Sequence, residues 1–94
     1  MSQGSFAGGV LDLLEARDLT QLLAEICHRR GVVAQEVCGR GRSLGVCRAR
    51  QELWWQIRHH PEREYSYSEI ARLFGRDHTT IQHGVAAHAR RSCR

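Results

Sequence analysis

Gly75-Arg76-Asp77-His78-Thr79-Thr80-Ile81-Gln82-His83 is the stretch on which the reading of this chain turns. Just before it, Ser66 to Phe74 has the marks of a short helix. Ser66 and Glu69 are spaced as a capping box, and Tyr67, Ile70, Leu73 and Phe74 form one apolar stripe. Gly75 ends that helix, since glycine takes the left-handed C-cap conformation without a Cβ penalty. A second helix is expected from near Asp77, with Ile81 and Val85 four apart on its inner side. Helix, glycine turn and helix outline a helix-turn-helix over about residues 66–89, whose second helix offers its first side chains to base edges in the major groove.

The side chains at that helix start have suitable chemistry. Asp77 can accept from a cytosine amino group, and His78 can hydrogen-bond a base edge. Thr79 brings a hydroxyl and a methyl, and Thr80 or a free backbone N–H can hold a phosphate. Gln82, His83 and Ala86 look outward from the following turns, and His83 can meet a base or a phosphate. A plainer reading makes Asp77 an N-cap favoured by the helix dipole and the threonines ordinary first-turn residues. Taken alone, these residues leave both open.

Arg76-Asp77-His78-Thr79-Thr80, followed by an aliphatic residue, any residue and His83, resembles the signature of the C-terminal DNA-binding domain of the bacterial replication initiator DnaA family. The likeness extends through Glu69-Ile70 and Phe74-Gly75, through Gly39-Arg40-Gly41-Arg42-Ser43 and Val46-Cys47-Arg48-Ala49-Arg50-Gln51, back to Leu22-Leu23-Ala24-Glu25-Ile26. It covers roughly residues 18–90. It implies an all-α fold, a compact helical domain whose helix-turn-helix reads bases through Asp77, His78, Thr79, Thr80, Gln82 and His83. It also implies a loop that reaches the minor groove beside the major-groove helix, with Arg42 entering the groove, and backbone contacts from Arg50 and Gln51. Arg40, Ser43, Arg48 and Arg76 complete the expected minor-groove and backbone set. The implied partner is double-stranded DNA carrying an asymmetric box like TTATCCACA. Departures are Gly41 and Leu44 where the family often has further basic residues, Ala49 in place of a proline, and Gln82.

Composition points the same way. The 94 residues form one domain, expected as a flexible tail over 1–9, a helical domain over 10–91 and a tail over 92–94. Such a chain buries about two-thirds of its unfolded surface and needs no metal or disulfide. The net charge is +4, but residues 1–38 carry −2 and residues 39–94 carry +6, with 11 arginines against 5 acids. The basic footprint thus lies with the helix-turn-helix. All 14 basic residues are arginine, which matches phosphates and guanines well but follows more simply from codon usage in a GC-rich genome.

Between these landmarks, Val10 to Arg17 reads as a short helix with Leu11 and Leu14 on one side, a lid on the core or else a partner or self-association contact. Asp18 or Thr20 can cap a core helix bearing Leu19, Leu22, Leu23 and Ile26, with His28, Arg29 and Arg30 in its last turn before Gly31. Val33 is expected inward, and a turn of helix over Ala34 to Cys38 precedes the glycine-rich basic loop. That loop has a plainer reading as a solvated linker. A long helix is expected from about Cys47 to His59, with Arg48 and Arg50 in its first turn, Leu53, Trp54 and Ile57 in the core and Trp55 partly exposed. Pro61 stops it.

Cys27, Cys38, Cys47 and Cys93 are widely spaced without a Cys-x-x-Cys pair, so no metal site is expected and the cysteines suit a reducing cytoplasm. No apolar run matches a membrane span or a signal peptide. No cofactor and no small-molecule substrate is expected. The sequence contains no Gly-x-x-x-x-Gly-Lys run and no nucleophile-base set, so no ATPase or other enzyme is expected of it. The expectation is a sequence-specific DNA-binding module of a transcription regulator, self-contained from its initial Met. Alternatives are the origin-binding part of a replication initiator and a protein-interaction module using Leu11, Leu14 and Trp55.

Overall fold

The computed structural model describes residues 6–92. Among the described residues there are six helices and no strand: α1 (Phe6–Ala16), α2 (Thr20–Arg30), α3 (Ala34–Cys38), α4 (Leu44–Arg58), α5 (Tyr67–Phe74) and α6 (His78–Ser92). The all-α expectation holds. The expected N-terminal tail meets a helix from Phe6 onward, while residues 1–5 lie outside the described residues, as do Cys93 and Arg94 of the expected C-terminal tail.

α1 packs on α3 and α5, with Val10 and Leu14 buried and Leu11 half-buried. The chain then turns at Asp18, whose φ of 60° is left-handed, and Leu19 N–H donates to the Leu14 carbonyl at 2.9 Å. Asp18 and Thr20 do not cap α2. Leu19 holds the cap position without a side-chain bond and is itself core. Val33 is another correction, being 57% exposed. It is the extended residue before α3, its carbonyl accepts from Glu36 and Val37 N–H, and Val37 takes the interior instead.

α4 begins at Leu44, three residues ahead of expectation, because Ser43 Oγ accepts from Val46 N–H and so caps it. Arg48 and Arg50 therefore fall in the second turn. Position 50 lies on the stripe of Val46, Leu53 and Ile57, which faces the core. Trp54 is buried edge-on against Phe74 at 5.9 Å, and half-buried Trp55 lies between His59 and His88.

Two features fix α4 against its neighbours. Buried Glu52 takes Arg29 Nη2 at 2.7 Å and Arg30 Nε at 2.6 Å, joining α2 to α4. Burial disfavours the Glu52 charge, but hydrogen bonds and attraction from Arg29 and Arg30 prevail and bring its pKa down to about 2. On the other side α6 lies close to α4 at Gly84, which faces the Trp54 ring. Cys27 and Cys38 are buried thiols; burial pushes Cys38 up to about 11. No helix among the described residues is long and apolar enough to cross a membrane.

Candidate nucleic-acid interface

The helix-turn-helix forms as its residues dictate. Ser66 Oγ accepts from Glu69 N–H at 3.1 Å and the Glu69 carboxylate accepts from Ser66 N–H at 2.8 Å, closing the capping box at the start of α5. Gly75 ends α5 with φ of 64°, and Arg76 N–H donates back to the Ala71 carbonyl at 2.9 Å. Asp77 then leads into α6, its carbonyl accepting from Ile81 N–H.

Ile81, Gly84 and Val85 face inward, whereas Asp77, His78, Thr79, Thr80, Gln82 and His83 are all exposed. The six side chains expected to read bases thus stand together over the first turns of α6. Unbonded N–H groups at the helix start add partial positive charge there.

The basic loop between α3 and α4 is held from beneath by two arginines. Arg50 is only 6% exposed. Its Nε donates to the Val37 carbonyl at 2.9 Å, and its Nη2 donates to the carbonyls of Glu36 at 2.8 Å and Gly41 at 3.0 Å. Where a DNA-backbone contact is expected of Arg50, its Nε and Nη2 thus serve the protein's own carbonyls. The apolar stripe of α4 carried the signal, since position 50 belongs to it.

The second is Arg76, half-buried, whose Nη2 donates to the Gly39 carbonyl at 2.9 Å while its guanidinium lies 5.8 Å from the centre of the Trp54 ring. Burial, then the nearby charges of Arg50 and Arg40, lower its pKa. Its Nε is buried with no hydrogen-bond partner among the described residues. Like Arg50, it faces inward in part.

Above these two, Arg40, Arg42, Ser43 and Arg48 are exposed, and so is Leu44. Ser43 already uses its hydroxyl as the α4 cap. Gln51 is half-buried and accepts from Arg91 Nη2 at 2.6 Å, linking α4 to the end of α6. Between loop and turn lies a cleft of about 570 Å³ lined by Arg40, Ala71, Arg72, Gly75, Arg76, Asp77 and Thr80. Arg72 was not among the sequence candidates. It is an exposed arginine in the last turn of α5, and its place at this cleft follows only once the loop is folded against the turn.

The chain matches the family described as the bacterial dnaA protein helix-turn-helix over residues 19–87. It belongs to that family. The chromosomal replication initiator protein DnaA of Deinococcus radiodurans is 30% identical over 69 residues, which are 73% of this chain and 14% of that protein. The DnaA of Herpetosiphon aurantiacus is 38% identical over 64 residues, 67% of this chain and 13% of that protein. The chain therefore spans a small fraction of the curated relatives it matches. No solved structure matches it.

A DnaA-type helix-turn-helix domain supports DNA binding. The matched span leaves α1 outside, yet Val10 and Leu14 belong to the common core.

Proposed function

We propose that this DnaA-family domain reads double-stranded DNA sequence-specifically, with α6 in the major groove and the Arg40 to Ser43 loop in the adjacent minor groove. The observation that carries the reading is the joint exposure of Asp77, His78, Thr79, Thr80, Gln82 and His83 at the start of α6, beside a loop displaying Arg40 and Arg42. Asp77, His78 and Thr79 face bases, and Thr80 and the cleft with Arg72 face the backbone between the two grooves. Arg42 suits a narrow A/T-rich minor groove, where negative potential is concentrated.

As a biological role we infer the DNA-binding module of a transcription regulator. A second reading, binding at a replication origin, is favoured by the relatives, which are named as replication initiators.

Selection of binding sites from random duplexes tests the proposal. A single recovered motif is expected, and His78→Ala or Thr79→Ala is expected to cost about 1 to 3 kcal/mol on it and little on random DNA. Recovery of no motif, or equal losses on both DNAs, would reduce α6 to a backbone contact. The genomic position of the motif, at promoters or at an origin, separates the two roles.

A further inference from the structure

The two proposed reading elements are separate in sequence and belong to different supersecondary units. The loop joins α3 to α4; the recognition helix follows α5. Their spacing decides which base step the loop meets when α6 is seated in its groove. Flexible spacing would let each element find its own optimum, and the site read would be blurred.

Hydrogen bonds hold each unit internally. Arg50 ties the loop to its own flanks, reaching Glu36, Val37 and Gly41, all within 14 residues of it. Arg76 differs. Its side chain crosses 37 residues of sequence to the Gly39 carbonyl at the start of the loop. Its own N–H is bonded to Ala71 in the turn of the helix-turn-helix, one residue before Asp77. Its guanidinium is at the same time placed over Trp54 of α4. One residue therefore joins the turn, through its backbone, to the loop and the central helix, through its side chain.

We propose that Arg76 is a positioning residue that sets the register between the minor-groove loop and the recognition helix, rather than a DNA ligand itself. This rests on the proposed two-groove reading. The buried Nε, without a hydrogen-bond partner among the described residues, and the carbonyl rather than carboxylate acceptor of Nη2 fit such a role. A cation retained there beside Arg50 and Arg40 is held by a carbonyl and a ring face.

The test compares Arg76→Met with the wild type on two duplexes, one with the A/T-rich flank at its selected position and one with that flank moved by a single base pair. The wild type is expected to prefer the first by about tenfold, as for loss of one good base contact. In Arg76→Met the preference is expected to collapse to about twofold or less on the same scale. An equal loss on both duplexes, with the preference intact, would make Arg76 a phosphate contact or a general stabiliser and overturn the proposal.

Two measurements need no DNA. Amide exchange at Arg40 to Arg42 is expected to quicken in Arg76→Met while α6 amides keep their rates; equal quickening in both, or none in the loop, overturns the proposal. On wild-type protein, which removes any dependence on folding of the variant, Arg76 guanidinium protons are expected to give separate NMR signals because the Gly39 bond hinders rotation. Averaged signals overturn it. A wild type indifferent to flank position would defeat the two-groove reading, and these two arms would still report on the Arg76 link.

Discussion

Gly84 of α6 faces the edge of the Trp54 indole of α4 so closely that a Cβ added to it would lie 2.5 Å from Cε3 and 2.6 Å from Cζ3. This contact sets how closely α6 lies on the core. Gly84→Ala is expected to destabilise the domain by about 1 to 3 kcal/mol through overpacking, although alanine is the better helix former. A thermal melt that rises for Gly84→Ala would show that α6 can shift away at no cost.

The contrast between arginines in the basic loop and beneath it gives a second prediction. Arg42→Lys is expected to leave stability unchanged and to weaken binding most where an A/T-rich step flanks the footprint, since the ammonium is more strongly hydrated. Arg50→Lys is expected to lower the melting temperature without DNA, because one ammonium cannot span the carbonyls of Glu36, Val37 and Gly41. Equal losses for Arg42→Lys on A/T and G/C flanks would assign the loop to simple charge attraction.

Salt titration examines the cleft between loop and turn. If a backbone phosphate occupies it, Arg72→Gln removes one phosphate neutralisation and is expected to reduce the slope of log K against log salt by about 0.9. An unchanged slope would place Arg72 outside the footprint.

Acid sensitivity has two steps of known sign. His88 has its pKa lowered by burial, opposed by Glu52 and assisted by Arg30, Arg91 and Arg29, so the fold favours the neutral ring. Its stabilisation is present above the ordinary value of 6.5 and is lost as pH falls below it. Glu52 acts lower: its contribution is present above its ordinary 4.5 and is lost as pH falls toward about 2. Melts across pH 7 to 2 are expected to show both declines, at the values just given. Glu52→Gln is expected to cost about 1 to 3 kcal/mol at neutral pH, less than for a fully buried pair because Arg29 remains half in water. It is also expected to abolish the lower decline; a decline that persists in Glu52→Gln would mean another carboxylate is responsible.

What could be read from the sequence was local. The Ser66 and Glu69 cap, the Gly75 stop and the outward set at the start of α6 each depend on residues a few positions apart, where spacing and backbone preference decide the outcome. The burial of Arg50 was legible by position, since it lies on the stripe of Val46, Leu53 and Ile57. The Glu52 pairing spans 22 and 23 residues and the Gly84 approach to Trp54 spans helices, and no periodicity encodes either. Val33 reads as core because it is apolar, yet its backbone is spent on starting α3 and its side chain faces water.

Arginine in place of lysine throughout this chain is what a GC-rich base composition would leave, and at most exposed positions lysine would serve the fold as well. Beneath the loop it has become obligatory. If the genome drifted toward A and T, exposed positions such as Arg48 or Arg90 could accept lysine codons with the fold intact. Arg50, which bridges three carbonyls, could not, and Arg76, stretched between a carbonyl and an indole face, has the same resistance. A neutral habit of the genome would then survive as a structural requirement at two positions long after it had been erased elsewhere.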